Sequence, residues 1–595
     1  MNTTDKIKAI QALMKENKID CYYVPTADFH NSEYVGDYFK ARAYLSGFSG
    51  SAGVMVIKQE TAYLWTDGRY FIQAAKQLAN SGIELMRLNE PDVLSVEEFL
   101  ASHLPINGTM GFDGRVVMAK QFKAWKTLCQ DKNISFVTTL DLVGQCWLDR
   151  PALPKESAYL LNEESVGETR KEKLNRLRVE MKKNKADIHF VATLDDLAWI
   201  FNLRGNDVLH SPVVLAYGLI EMDKATLFID GDKLSNEVKM ELSKDKIECL
   251  PYEDVYQVLT QIPENQLVML DESNVNMLAV NSLKAKIISC ANPSMMFKAI
   301  KNNVELDHTR VAHIKDGVAV SKFMIWLKKT IQTETLNEIQ VADQLESYRR
   351  ENKEMISLSF NTIAAYGANA ASMHYSATPE QFATLKREGF LLVDSGATYF
   401  NGTTDITRTF ALGECSEALK KDYTSVLKGM LSLSMAVFLY GVRGANLDVL
   451  ARTPMWKRLL DYKCGTGHGV GHILNVHEGP NSFRWQTGGE RGDSCILEEG
   501  MITTNEPGIY IDGSHGIRIE NEMITKKKAF NEYGQFMEFE TITFAPIDLD
   551  PVLPELLSQD EKDFLNAYHE EVYQKVSPYL NEEECKALRI YTRAI

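Results

Sequence analysis

Five side chains able to ligate a metal are strung along the C-terminal half of this 595-residue chain: Asp394, Asp405, His468, Glu506 and Glu520. They sit in VDSGATYFNGTTDITRT (393–409), GTGHGVG (465–471), NEPG (505–508) and IRIEN (517–521). Four carboxylates and one imidazole make a hard, oxygen-rich donor set. Such a set suits two Mn²⁺-like ions better than a structural zinc, which favours Cys and His. Two ions that share a water and deprotonate it are the equipment of a hydrolase.

Each residue taken singly also has a plainer reading. Asp394 follows the apolar run FLLV and can cap a turn. Asp405 comes eleven residues later and can be a solvated loop acid. A hairpin of that length can bring both carboxylates to one spot, where they repel unless a cation separates them. His468 lies between glycines 465, 467, 469 and 471, a density that lets the backbone approach something closely. Position 470 is valine, so the run is not a dinucleotide fingerprint, and His468 can be structural. Glu506 precedes Pro507 and Gly508, a fixed turn. Around Glu520, alternation puts Ile517 and Ile519 on one strand face and Arg518 with Glu520 on the other. That second face is either exposed, with Arg518 as the salt-bridge neighbour, or turned to a core. In a core Glu520 must be paired or metal-bound.

The elements that position these residues need more than one core, since a chain of this length splits into two to four domains. Composition is that of a globular protein: 45% hydrophobic, 25% charged, mean hydropathy −0.23. A net charge of −16 offers no basic field to collect phosphates, which argues against nucleic acid as a partner. The N-terminus reads as an amphipathic helix without a signal-peptide core. No stretch approaches the ~20 apolar residues of a membrane span. Nine scattered cysteines without a CxxC pair fit reduced thiols. These features point to the cytoplasm.

Linker-like stretches at 147–157 and 290–303 suggest pieces at 1–150, 151–297 and 298–545, with a helical, charged extension at 546–595 read as a surface addition. The first two pieces share an order of strand, helical stretch, Gly turn, apolar strand, and strand ending in Asp-Gly (WTDG at 65–68, FIDG at 228–231). This reads as a duplicated α/β module. The third piece opens with a predicted helix near 304–331, with Val311, Ile314, Val318 and Ile325 on one face. Helices around 416–440 and 445–461 follow, among short strands without a βαβ rhythm. That mixture favours α+β with a largely antiparallel sheet.

Taken together, SGFSGSAG, WTDGRYF, NLRGNDV, KAIKNNVELDHTRVAHIKDGVA, DSGATYFNGTTDITRT, GTGHGVGHILNVHEGP, NEPGIY and GIRIEN resemble the pita-bread metallopeptidases. Within them the chain is similar to the aminopeptidase P (Xaa-Pro aminopeptidase) family in its large three-domain form. The resemblance covers nearly the whole chain. It implies two creatinase-like N-terminal domains before a pita-bread catalytic domain. It also implies two divalent ions, expected to be Mn²⁺, with Asp394 on one, His468 and Glu506 on the other, and Asp405 and Glu520 bridging. A hydroxide between them would attack the peptide carbonyl before proline, while the metals stabilise the oxyanion and anchor the substrate's amino group. Short peptides with proline in second position would be the substrates, and a homodimer the assembly.

His374 in SMHYS matches a family histidine on the proline-binding side, and His477 in NVHEGP one that contacts the substrate carbonyl. Arg69 of WTDGRYF matches a substrate-contacting arginine. Their plainer readings are a strand-end residue, a hydrogen-bonding neighbour and a turn cap. The chain departs from the family at Cys464, where a further histidine is often found four residues before the metal-binding one. A thiol is a weak donor and acceptor, so that hydrogen bond is either missing or supplied by His472. His210 and His515 have no assigned place. The alternatives are prolidase, which cuts dipeptides ending in proline with the same metal set on a shorter chain, and a non-catalytic pita-bread binding protein.

Overall fold

The repeated order of strands in the first half of the chain becomes two six-stranded sheets of the same connectivity. The first runs Ile83–Arg87, Ala62–Thr66, Val54–Lys58, Cys21–Pro25, Thr109–Gly111, Ser135–Val137. The second runs Ile247–Leu250, Ala225–Ile229, Ala216–Glu221, Ile188–Val191, Leu267–Leu270, Lys286–Ser289. In each, three neighbouring strands are antiparallel and the remaining pairings are parallel, at matching positions. Cys21–Pro25 and Ala225–Ile229 are buried along their whole length, as suits sheets covered on both faces.

The computed structural model describes residues 1–486 and 495–595. It divides into two compact units, 1–162 with 168–294 and 163–167 with 295–595. Both sheets above belong to the first unit. They are joined there by His30, which is 1% exposed and meets the Ala192 carbonyl at 2.7 Å and the Tyr252 hydroxyl at 2.7 Å.

The second unit is antiparallel throughout its named strand pairs, as its irregular strand pattern predicts. A three-stranded sheet pairs Ile363–Tyr366 with Phe390–Ser395 and Ile406–Ala411. A six-stranded sheet runs Phe438–Leu439, Gly534–Thr541, Asn521–Asn531, Ile502–Asn505, Gly467–Gly469, Glu478–Phe483. Helices Asn303–Thr330, Glu417–Ser434 and Gly444–Trp456 accompany them. The segment read as a linker around 290–303 carries the helix Pro293–Ala299.

Two expectations change. The helix Asn303–Thr330 forms where predicted, opened by an Asn302–Glu305 capping box. Its buried face, however, carries Thr309, His313, Asp316, Val320, Phe323 and Leu327, close to the opposite side from the expected stripe, and Val311 is 41% exposed. The buried face is rich in polar groups, so hydrophobic periodicity misassigns it. The C-terminal extension is helical, but Gln559–Val576 is not a surface addition. Its Leu565, Val572 and Val576 are fully buried in a cluster with Tyr423, Leu427, Ile517 and Ile519. The tail's charges lie on one face and its core contacts on the other.

Candidate metal centre

Strand ends bring the acids in. Asp394 lies on the central strand of the three-stranded sheet, opposite Thr407. Asp405 immediately precedes the partner strand, and its N–H donates to Glu522 Oε1 at 2.7 Å. His468 sits on Gly467–Gly469, with its N–H donating to Thr504 Oγ1 at 3.0 Å. The flanking glycines are required by the sheet itself: a Cβ at Gly467 would lie 1.8 Å from the Thr504 carbonyl oxygen. Glu506 follows Ile502–Asn505, and its N–H donates to the Thr466 carbonyl at 2.7 Å. Glu520 accepts from Thr407 Oγ1 at 2.7 Å, and its N–H donates to the Thr407 carbonyl at 3.1 Å.

These elements gather the five residues. His468 Nε2 is 3.5 Å from Asp405 Oδ2 and 3.3 Å from Glu506 Oε1. Asp405, His468 and Glu520 each offer a ligand atom within 4.8 Å of the others. Arg518 ties in the remaining acid, with Nη2 2.5 Å from Asp394 Oδ2 and Nε 3.9 Å from Glu506 Oε2. Asp405 is 4% exposed and Glu520 1%, so the solvated-loop reading of Asp405 and the exposed-face reading of Glu520 both fall. Arg518 pairs with Asp394, 124 residues away, where local alternation had offered Glu520 as its partner.

The electrostatics call for cations. Burial, reinforced by the charges of Asp394, Glu506 and Glu522, pushes the Asp405 carboxyl well above the usual carboxylate range. Burial, with Asp405, Glu506 and Asp394, does the same to Glu520. Burial works against charge on Arg518, but Tyr510, Asp394, Glu506 and Glu520 hold it protonated. One guanidinium thus faces four ligand carboxylates. Among the described residues Asp394 Oδ1 and Glu520 Oε1 are buried without a hydrogen-bond partner, an unfavourable arrangement unless a cation takes them. The residues fit a hard divalent ion.

The neighbouring residues divide. The His477 ring lies edge-on to His468, with centroids 4.3 Å apart. His374 follows the turn Gly367–Ala371, which packs on the hairpin Gly508–Arg518 so tightly that a Cβ at Gly516 would lie 1.8 Å from the Ala370 carbonyl oxygen. Arg69 belongs to the first unit, where it grips Asp67 through Nε (2.8 Å) and Nη2 (2.7 Å). Cys464 packs on the core, and burial pushes its thiol up to about 11. It is therefore a neutral, inert thiol near pH 7. His472, the other candidate for the hydrogen bond of the missing histidine, has its Nδ1 3.2 Å from Thr309 Oγ1 and its Nε2 3.0 Å from the Ser165 carbonyl. His515 is engaged by Asp422 at 2.9 Å.

Several contributors escape sequence reasoning. The Tyr510 hydroxyl accepts from Arg518 Nη1 at 2.7 Å and so holds Arg518 in place. Glu522, which accepts from Asp405, is itself 3.2 Å from His313 Nε2, both fully buried. The Arg518–Glu520–Glu522 alternation was the available signal, since it places three charged side chains on one face of an otherwise apolar strand region.

Comparison with known proteins bears on the family and the fold. Residues 6–145 and 149–305 each match the creatinase/prolidase N-terminal domain. Residues 307–527 match metallopeptidase family M24, and 535–595 the C-terminal region of peptidase M24. The chain is 37% identical over 592 residues to a probable Xaa-Pro aminopeptidase P of Laccaria bicolor, covering 98% of this chain and 91% of that one. It superposes on X-prolyl aminopeptidase from Caenorhabditis elegans, described as a cytosolic enzyme with a di-nuclear active site, with TM-score 0.95 and 32% identity over the full length of both. A Xaa-Pro dipeptidase from Bacillus anthracis matches at 25% identity and TM-score 0.50, covering 64% of this chain and 99% of its own. With four family models in register along its length and relatives aligned end to end, the chain belongs to the aminopeptidase P family of M24 metallopeptidases.

Proposed function

We propose that this chain is a metal-dependent aminopeptidase that releases the first residue from peptides with proline in second position. The observation that carries the reading is the convergence of four carboxylates and His468 around buried, unpartnered oxygens of Asp394 and Glu520. The site would hold two divalent ions, Mn²⁺ in our reading, which would supply Lewis acidity for the scissile carbonyl and lower the pKa of a water. Asp394 would hold one, His468 with Glu506 the other, and Asp405 with Glu520 both. Arg518 orients Asp394, and Thr407 orients Glu520. His477, beside His468, donates to the substrate carbonyl, and His374 lines the proline side. Arg69 keeps its reading as a substrate-contacting arginine, for which Arg69→Ala should raise KM.

Proline makes a dedicated enzyme necessary, because its tertiary amide lacks the N–H that general peptidases bind. The cytoplasm is the proposed location. Among the described residues no helix is long and apolar enough to cross a membrane. A homodimer is the proposed assembly. Hydrolysis of Arg-Pro-Pro, abolished by chelator and restored by Mn²⁺, is the expected result. Activity on Gly-Pro alone would move the chain to prolidase, whose dipeptidase relative spans only 64% of it.

A further inference from the structure

Glu338 is a buried acid outside the metal centre. It opens the helix Glu338–Arg350 and is 0% exposed. Its Oε1 accepts from the Tyr366 N–H at 2.7 Å and from Asn369 Nδ2 at 3.0 Å. Its Oε2 accepts from the Tyr375 hydroxyl at 2.8 Å and the Ala383 N–H at 2.6 Å. Asn369 Nδ2 also reaches Oε2 at 3.2 Å and donates to Tyr375 at 3.0 Å. The Glu338 N–H in turn donates to the Ala383 carbonyl at 3.2 Å. All four donors are neutral, and their hydrogen bonds to a carboxylate are charge-assisted. A helix N-terminus adds further support for the charge.

The donors span 366–383, and His374 stands between Asn369 and Tyr375. The same segment faces the centre on its other side. Ala365, Ala370, Tyr375 and Leu392 form one buried cluster, with Ile363 and Tyr510 packed against it. Tyr510 is the partner of Arg518, and Ile363 pairs with Asp394 across the sheet. The segment is thus clamped between a buried carboxylate behind and the metal-site strands in front.

We propose that Glu338 is a positioning residue: it fixes the 366–383 segment so that His374 meets the substrate's proline. This rests on the reading of His374 above. Glutamine at 338 keeps the shape but turns an amide N–H₂ toward two donors, so hydrogen bonds are lost in place. Glu338→Gln should lower kcat/KM on Arg-Pro-Pro roughly ten- to a hundredfold, the scale of a small misplacement. The metal content should stay as in the parent. Amide exchange should rise across 366–383 and not across 390–411. In a His374→Ala background the same substitution should cost less than about threefold, because both act through one contact. Full additivity with His374→Ala, or unchanged exchange over 366–383, would overturn the proposal. Tyr375→Phe, which removes a single donor, should give the same pattern at smaller scale and carries the test if Glu338→Gln does not fold. If the parent protein fails to cleave Arg-Pro-Pro, the proposed function fails, while amide exchange still reports whether Glu338 holds the segment.

Discussion

The raised carboxyls of Asp405 and Glu520 make the stability of the metal-free protein depend on pH in a direction opposite to that of acids whose pKa is lowered by a salt bridge or hydrogen bonds. In the unfolded chain these groups titrate at ordinary values, 3.8 for Asp and 4.5 for Glu. In the folded, metal-free centre burial and the neighbouring acids hold them well above that range. Between the two, the folded state carries protons that the unfolded state has lost. Stability then falls as pH rises, by about 1.4 kcal/mol per pH unit for each proton retained. With both retained the slope is about 2.7 kcal/mol per unit. The acids titrate as one cluster, so the protons belong to the group. Divalent ions reverse the slope, because ligating carboxylates must be ionised and binding expels the protons. Metal affinity should therefore rise about tenfold per pH unit for each proton displaced. Thermal unfolding with EDTA or with Mn²⁺, followed upward from the ordinary carboxylate range, checks this. The Mn²⁺-induced rise in midpoint should grow with pH, and titration calorimetry in two buffers of different ionisation enthalpy should count one or two protons released. Taking the difference between the two conditions removes every group outside the centre. A Mn²⁺ effect flat in pH, with no proton release, would refute the assignment of protons to this cluster.

Glu520→Gln should bring bound metal from two ions toward one and lower kcat by orders of magnitude, as read by metal analysis and peptide hydrolysis on one preparation. A full complement with full activity would remove Glu520 from the ligand set. Cys464→His should shift the rate or pH profile within about tenfold, since the thiol contributes no charge near pH 7. A loss of several orders in kcat would show that the thiol is required. Leu565→Ala should cost about 2–5 kcal/mol and lower the unfolding midpoint of the catalytic unit. An unchanged midpoint would return the C-terminal helix to the surface.

The site was more legible in the sequence than the elements that hold it. The five candidate ligands carry local flanks, weak singly and telling together: glycines beside His468, a proline after Glu506, an apolar run before Asp394. The glycines mattered for a reason the sequence could state only generally. They leave room for the Thr504 and Glu478 carbonyls of adjoining strands. The duplicated module was legible for the same kind of reason, because two apolar strands and a Gly turn repeat within short windows. The buried face of Asn303–Thr330 was not, since Thr309, His313 and Asp316 break the apolar period that betrays a core face.

That helix shows where local reading ends. Asp316 takes two bonds from Arg349, at 2.6 and 3.0 Å, and accepts from Thr404 Oγ1 at 2.9 Å, one residue before Asp405. His313, one turn earlier, stands against Glu522, which accepts from the Asp405 N–H. A single helix face thus reaches both flanks of one candidate metal-binding acid, Asp405, through partners 33 to about 200 residues away. In its own window, HIKDG, Asp316 looks like an ordinary surface charge, and Glu522 shows only through its alternation with Arg518 and Glu520. Donors that arrive from elsewhere in the chain make their burial tolerable, Arg349 and Thr404 at Asp316 and the Asp405 N–H at Glu522 Oε1. The outer layer of this centre is therefore a property of the tertiary fold. Hence the pairing of Arg518 with its near neighbour Glu520 was one of two readings open in the sequence, whereas the structure pairs it with Asp394, and Glu338 carries no sequence signal at all.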